Sequence, residues 1–240
     1  MSRVSRKFTE TDVWGKLYLK LLLSFALSFL ITGFTYAKGK PHLHSSSYPV
    51  HKNITSTVFW IGELSNGNAA SDNTSSAWDS LWQSHYGGPD SPQRRHAYLP
   101  SAFIPHENPF YVALPYNDFG RKRKPSAYKV IYWAKEKKWR PTESMCKNRW
   151  VKITKNGRSV YAQWEDVGPF LDNDAAYVFG ERTPRNRRNH QAGIDVSPAV
   201  RDFLHLSDID KVDWQFVPAN QVQNGPWTKI ITTSQTCWKK

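Results

Sequence analysis

The chain is poor in the residues that most often announce a chemistry. It has two cysteines and two methionines in 240 residues, which rules out a disulfide-dense scaffold. No C-x-x-C or H-E-x-x-H spacing is present, so no metal ligand set and no cofactor is expected. Acidic residues are scarce as well: 33 Lys and Arg face 20 Asp and Glu, for a formal net charge of +13. Long apolar runs are missing except for one near the start, and no internal repeat is visible. What the chain does have is fifteen prolines, thirteen glycines and eleven tryptophans, with 39% hydrophobic and 22% charged residues. That balance fits a loop-rich, β-rich globular protein with a substantial core.

The single apolar run, Leu21 to Phe34, follows Arg3, Arg6, Lys7, Lys16 and Lys20 and ends at Thr35-Tyr36-Ala37. A basic segment, a short apolar stretch and a small residue form the layout of a secretory signal. Residues 1–37 are therefore expected to be a signal peptide or signal anchor, and the chain secreted or periplasmic. The run is short for a hydrocarbon core of ~30 Å, which favours cleavage, so contact with a membrane is expected only through an uncleaved segment. The first 37 residues hold five basic and two acidic side chains, leaving +10 for the remainder. An exported basic protein meets anionic wall polymers and membrane surfaces rather than nucleic acid. The clusters Arg121-Lys122-Arg123-Lys124 and Arg185-Asn186-Arg187-Arg188 read first as solvated loops. In an oxidising compartment Cys146 and Cys237 are expected to pair, closing a loop of about ninety residues for roughly 4 to 5 kcal/mol; two free thiols are the alternative.

Residues 38–53 lack periodicity and read as a linker, leaving 54–240 as one domain. Thr55 to Ile61 is rich in β-branched and aromatic residues and reads as a strand. The stretch from Glu63 to Asp90 reads as a long loop with a short helical piece. Phe110 to Leu114 is a short buried strand bounded by prolines, with Tyr116, Asn117 and Asp118 just past its end. A basic insertion, 119–145, follows. Trp150 to Thr154 and Ser159 to Trp164 flank Asn156-Gly157, the signal of a tight hairpin. Ala192 to Val196 reads as a strand stopping at Ser197-Pro198, which caps and opens a helix. Val212 to Val217 alternates with period two and closes the domain. Residues 54–145 are expected to complete the same domain as the strands found after Cys146, with a partly separate cap as the alternative.

Two of these stretches carry a resemblance. Trp150 to Phe170, ending in Asp166-Val167-Gly168-Pro169-Phe170, resembles the rare lipoprotein A family's segment ending in Asp-Arg-Gly-Pro-Phe. Gly193-Ile194-Asp195-Val196-Ser197-Pro198-Ala199 resembles the same family's Ile-Asp-Leu-Ser motif before a helix. Order and spacing agree over roughly residues 146–218. The resemblance implies an all-β fold with short helices, a six-stranded double-psi β-barrel with loop insertions, shared with expansins, inverting endoglucanases and some lytic transglycosylases. It implies Asp195 as proton donor to a glycosidic oxygen. The endoglucanase base falls at Ile61 here, which leaves Glu63, Asp118 and Asp166 as substitutes. Without that base, one-carboxylate lytic cleavage of peptidoglycan is favoured over hydrolysis, which needs a second carboxylate about 6.5 to 9.5 Å away. A non-catalytic, expansin-like wall-binding module is the alternative. Ala113 occupies the place of a family histidine, and no lipid-attachment cysteine follows the apolar run. Trp60, Trp164 and Tyr116 are candidates for stacking on sugar, and Asn117 and His190 for polar contacts to it or to Asp195. The partner expected is thus a cell-wall polysaccharide, engaged by a monomer.

Overall fold

The computed structural model describes residues 48–65 and 72–235. The signal segment 1–37, most of the linker and Cys237 lie outside the described residues. Six strands close into a barrel: β1 (His51–Val58), β4 (Tyr111–Leu114), β5 (Arg149–Lys155), β6 (Arg158–Val167), β7 (Ile194–Val196) and β8 (Ile209–Phe216), in the spatial order β1-β7-β4-β6-β5-β8. The remaining two, β2 (Arg95–His96) and β3 (Leu99–Pro100), form a small ladder of their own. Pairs β1/β7 and β4/β6 are parallel and the other four antiparallel. Parallel neighbours require long connections, which is why prolines, glycines and irregular segments take up so much of this sequence. The fold is therefore the mostly β, closed six-stranded mixed barrel expected, with short helices α1 (Trp82–Tyr86), α2 (Ala127–Val130), α3 (Ala175–Val178) and α4 (Pro198–Leu204) around it.

Local chemistry sets most of these elements. At the β5–β6 hairpin Asn156 and Gly157 take φ of 48° and 79°, as a two-residue turn matching strand twist demands. Helix α4 opens with Pro198 in its first turn, and the Ser197 hydroxyl accepts from the Val200 N–H at 3.3 Å. Inside the barrel Val112, Leu114, Val151, Ile153, Val160, Trp164, Ile194, Val196 and Trp214 are almost completely buried. The face of β4 pointing the other way is buried too. Tyr111 and Ala113 pack with Phe59, Ile61, Trp82 and Tyr86, delivered by the long excursion between β1 and β4. A strand buried on both faces reads as a continuous apolar run, as Tyr111 to Leu114 does. Residues 54–145 thus both complete the barrel, through β1 and β4, and cover one of its outer faces.

Three boundaries differ from expectation. Strand β1 starts at His51, inside the expected linker: His51 is buried, its ring stacked on Trp214 at 4.0 Å. A bulge with Asn53 at φ 55° breaks the alternation there and hides the strand from a pattern reading. The strand ends at Val58, because Trp60 to Glu63 form a turn with Gly62 at φ 79°. Strand β8 begins at Ile209 instead of Val212; its first residues pair with the polar stretch Thr55 to Thr57 and lack an apolar alternation. The basic insertion 119–145 is folded onto the barrel, with Ala127, Ile131, Trp133, Ala134 and Trp139 in the main core. No disulfide is seen among the described residues. Cys146 is a buried free thiol, and its expected partner Cys237 lies outside them.

Candidate functional site

Strand β7 is three residues long. Ile194 and Val196 face the interior, so period-two alternation turns Asp195 outward. The register places Thr57 of β1 beside it and Ala113 of β4 opposite. The Thr57 hydroxyl donates to Asp195 Oδ1, and Asn189 Nδ2 donates to Thr57 Oγ1 at 3.3 Å. On the other flank, a Cβ placed on Gly168 would lie 3.2 Å from Asp195 Oδ2 and 3.6 Å from the Ala113 Cβ. The two small residues therefore leave space around this carboxyl, which is half-buried.

Burial pushes the Asp195 pKa up to about 7; the Thr57 hydrogen bond opposes the rise, and the negative charges of Asp166 and Glu63 add to it. Asp166 is the register partner of Ala113 on β4's other side. The two aspartates thus stand two ladder spacings apart, about 9.5 Å between backbone positions. Asp166 is buried beneath the excursion and its Oδ1 accepts from the Ala77 N–H at 2.8 Å. Its pKa is also pushed up to about 7, by burial, with hydrogen bonds from the Ala77 and Val167 backbone opposing. Glu63 is half-buried, and Asn73 Nδ2 donates to its Oε2 at 3.1 Å. Burial raises its pKa, with the Trp60 backbone and Asn73 hydrogen bonds opposing.

Of the residues singled out from sequence, Asp195, Asp166 and Glu63 come together. Asp118 does not join them. Its side chain is buried, accepting from Ser144 Oγ and the Met145 N–H at 2.7 Å each, and it clamps the end of the insertion to the barrel. Asn117 Oδ1 likewise accepts from Trp78 Nε1 at 3.0 Å and the Phe119 N–H at 2.9 Å, a loop-fixing role. Tyr116 packs edge-on against Phe179 with 4% of its surface exposed, and Trp164 is fully buried in the core. Neither offers a face to a sugar. Trp60 is half-buried in the turn after β1. His190 is exposed and lines a separate cavity with Lys52, Arg187 and Lys211.

Sequence reading missed Thr57, which strand register brings to Asp195, and Asn189, which a long loop brings to Thr57. It also missed a buried charge cluster under the excursion. Lys147 Nζ lies 3.1 Å from Glu165 Oε2, with 0% and 2% of the two side chains exposed. Burial works to lower the Lys147 pKa, but Glu165, Glu107 and Asp79 outweigh that effect and raise it; burial also pushes Glu165 up to about 8 against the opposing pull of Lys147. Asp79 Oδ2 in turn meets His85 Nδ1 at 2.6 Å.

The chain matches no family model and no curated protein. Among solved structures it is similar to the Streptomyces papain inhibitor, at 15% identity and a TM-score of 0.30, over 71% of this chain and 96% of that one. The barrel itself is established by the strand pairing described above.

Proposed function

We propose that this is an exported protein that cleaves cell-wall glycan strands, peptidoglycan first among them, with Asp195 as the one reacting carboxyl. The observation that carries the reading is a half-buried carboxyl held neutral up to about pH 7 on an outward-facing strand position, with Ala113 and Gly168 leaving room before it. The basic and apolar start of the chain supports export, and the likeness of residues 166–170 and 193–199 to rare lipoprotein A motifs supports the substrate class.

In this mechanism the Asp195 proton passes to the glycosidic oxygen as the bond from that oxygen to the anomeric carbon breaks. The resulting carboxylate then takes the proton of the same sugar's C6 hydroxyl, whose oxygen closes on the anomeric carbon. A 1,6-anhydro end forms, the acid is regenerated, and no water is consumed. General acid catalysis of this kind works best with a pKa near the working pH. Asp166 sits on the side of β4 away from Asp195 and is held by Ala77; it acts by charge, favouring the protonated acid, and not as a water-activating base.

Incubation of purified sacculi with the full chain tests the reading. Release of 1,6-anhydro sugars is expected, and its loss in Asp195→Asn. Products with ordinary reducing ends would redirect it to hydrolysis with Asp166 as base. Sacculi bound equally by both proteins and left uncut would make it a non-catalytic, expansin-like module.

A further inference from the structure

The outer face of β1 runs past Asp195 in both directions. Thr57 lies beside the acid, and Thr55, two residues earlier on the same face, lines the rim of a cavity of about 600 Å³. Two residues of strand span about 7 Å, so the acid and this cavity adjoin. A three-residue turn also joins them. Asn189, His190 and Gln191 all take left-handed backbone conformations, with φ of 43°, 57° and 59°. Asn189 then reaches Thr57, while His190 and Gln191 line the cavity. Residues other than glycine hold φ > 0 at a cost, and a run of three persists only where its surroundings impose it.

The cavity's charge is one-sided. Lys52, Arg187 and Lys211 line it and no Asp or Glu does. Among the described residues none of the three cations has a carboxylate partner: Lys211 Nζ donates to Thr55 Oγ1 at 2.7 Å, and Arg187 Nη1 to the backbone oxygens of Pro184 and Asn186. Asp213, close by on β8, accepts from the Asn53 N–H at 2.8 Å. Asn53, Thr55, Thr183 and Gln191 supply neutral hydrogen-bonding groups between the charges. Three unpaired cations among amides and hydroxyls, in a hollow opening beside a glycan acid, match a saccharide that carries an anion.

We infer that this cavity is a subsite for a carboxylate-bearing sugar of the glycan strand, seated on Lys52, Arg187 and Lys211 next to the sugar that Asp195 acts on. The inference rests on the reading of Asp195 as a glycan acid, and it adds that the substrate is anionic and held by charge on the β1 side of the cleavage point. Arginine suits this task, since its planar fork meets a carboxylate with two parallel hydrogen bonds.

The test is calorimetric titration of the full chain, in an Asp195→Asn background that prevents turnover, with a uronic-acid tetrasaccharide, its methyl ester and inorganic phosphate. The uronate oligomer should bind, the ester at least tenfold more weakly, and Arg187→Ala with Lys211→Ala should cost tenfold or more. Both side chains are exposed, so these variants should keep the fold; Lys138→Ala, also exposed and remote from the lining, should bind as the parent does. Equal binding of the ester, or an equal loss in Lys138→Ala, would overturn the subsite in favour of shape or diffuse charge. Phosphate saturating the site as well as the oligomer would replace it with a free-anion site. Anhydro-sugar release from sacculi that persists in the Arg187/Lys211 variant, with no uronate binding, would sink this inference and leave the cleavage reading standing; uronate binding without release would do the reverse.

Discussion

Two neighbours pull the Asp195 carboxyl in opposite directions. The Thr57 hydroxyl donates to it and so favours the charged form, whereas the negative charge of Asp166 favours the neutral one. Thr57→Val keeps the shape of the side chain and removes the donor, so the Asp195 titration should move to higher pH. Asp166→Asn removes the charge and should move it to lower pH. Either hydrogen bond or charge is worth about 1 kcal/mol or somewhat more, which is roughly one unit. Carboxyl-carbon NMR titration of the two variants reads this directly, and movement of both in one direction would show that Asp166 does not act on the acid by charge. Because the aspartates interact, the wild-type curve belongs to the pair. At this scale Asp195 was singled out by two motifs in order, residues 166–170 and 193–199, while Thr57 and Asn189 were not: which strand lies beside which is a property of the folded sheet, and nothing in Thr57's own surroundings announces it.

Ser197 links a strand to a helix. Its hydroxyl accepts from the Val200 N–H and from the Tyr111 N–H, both at 3.3 Å, tying the start of α4 to the start of β4 while fully buried. Removing it strands two buried donors, so Ser197→Ala should destabilise by about 1 to 2 kcal/mol, seen as a lowered urea midpoint with an unchanged slope. A loss under a few tenths of a kcal/mol would mean water takes over both bonds. Elements with a strong local signature were readable in advance, such as the hairpin at Asn156-Gly157 and the Ser-Pro opening of α4. Strand β1 was readable only from Thr55 onward, since the bulge at Asn53 removes the alternation that marks a half-buried strand. The aromatic candidates failed for a related reason: Trp164 and Tyr116 have the composition of a sugar platform, yet the strand position of Trp164 points into the barrel, and Tyr116, just past the end of β4, packs against Phe179.

The excursion from residue 59 to 110 is fixed to the barrel by apolar packing around Trp82 and Tyr111 and by the Lys147 cluster. Breaking a buried ion pair leaves a charge uncompensated, so Lys147→Ala should cost about 3 to 5 kcal/mol, whereas Lys147→Met combined with Glu165→Leu should cost far less. Chemical denaturation of the two proteins makes the comparison. A double variant as unstable as the single one would show that the pair does more than neutralise itself. Nothing in the sequence marks Lys147 out from the thirty-two other basic residues, because its partners at Glu165, Glu107 and Asp79 are distributed over eighty-seven positions. The closed barrel as a whole was legible from the order of motifs after Cys146, but the division of labour before it was not.

Thr57 and Asp195 are 138 positions apart in the chain, and β7 is held between β1 and β4, both made long before it. A fragment starting at Cys146 would carry both recognisable motifs and still lack the two strands that flank Asp195, leaving β7 without a neighbour on either side and β6 with an open edge. The same order governs synthesis. Until residues 194–196 are seated between β1 and β4, the Asp195 carboxyl lacks both the burial that raises its pKa and the Thr57 hydroxyl that opposes the rise, so its titration is a property of the closed barrel and not of the motif that carries it.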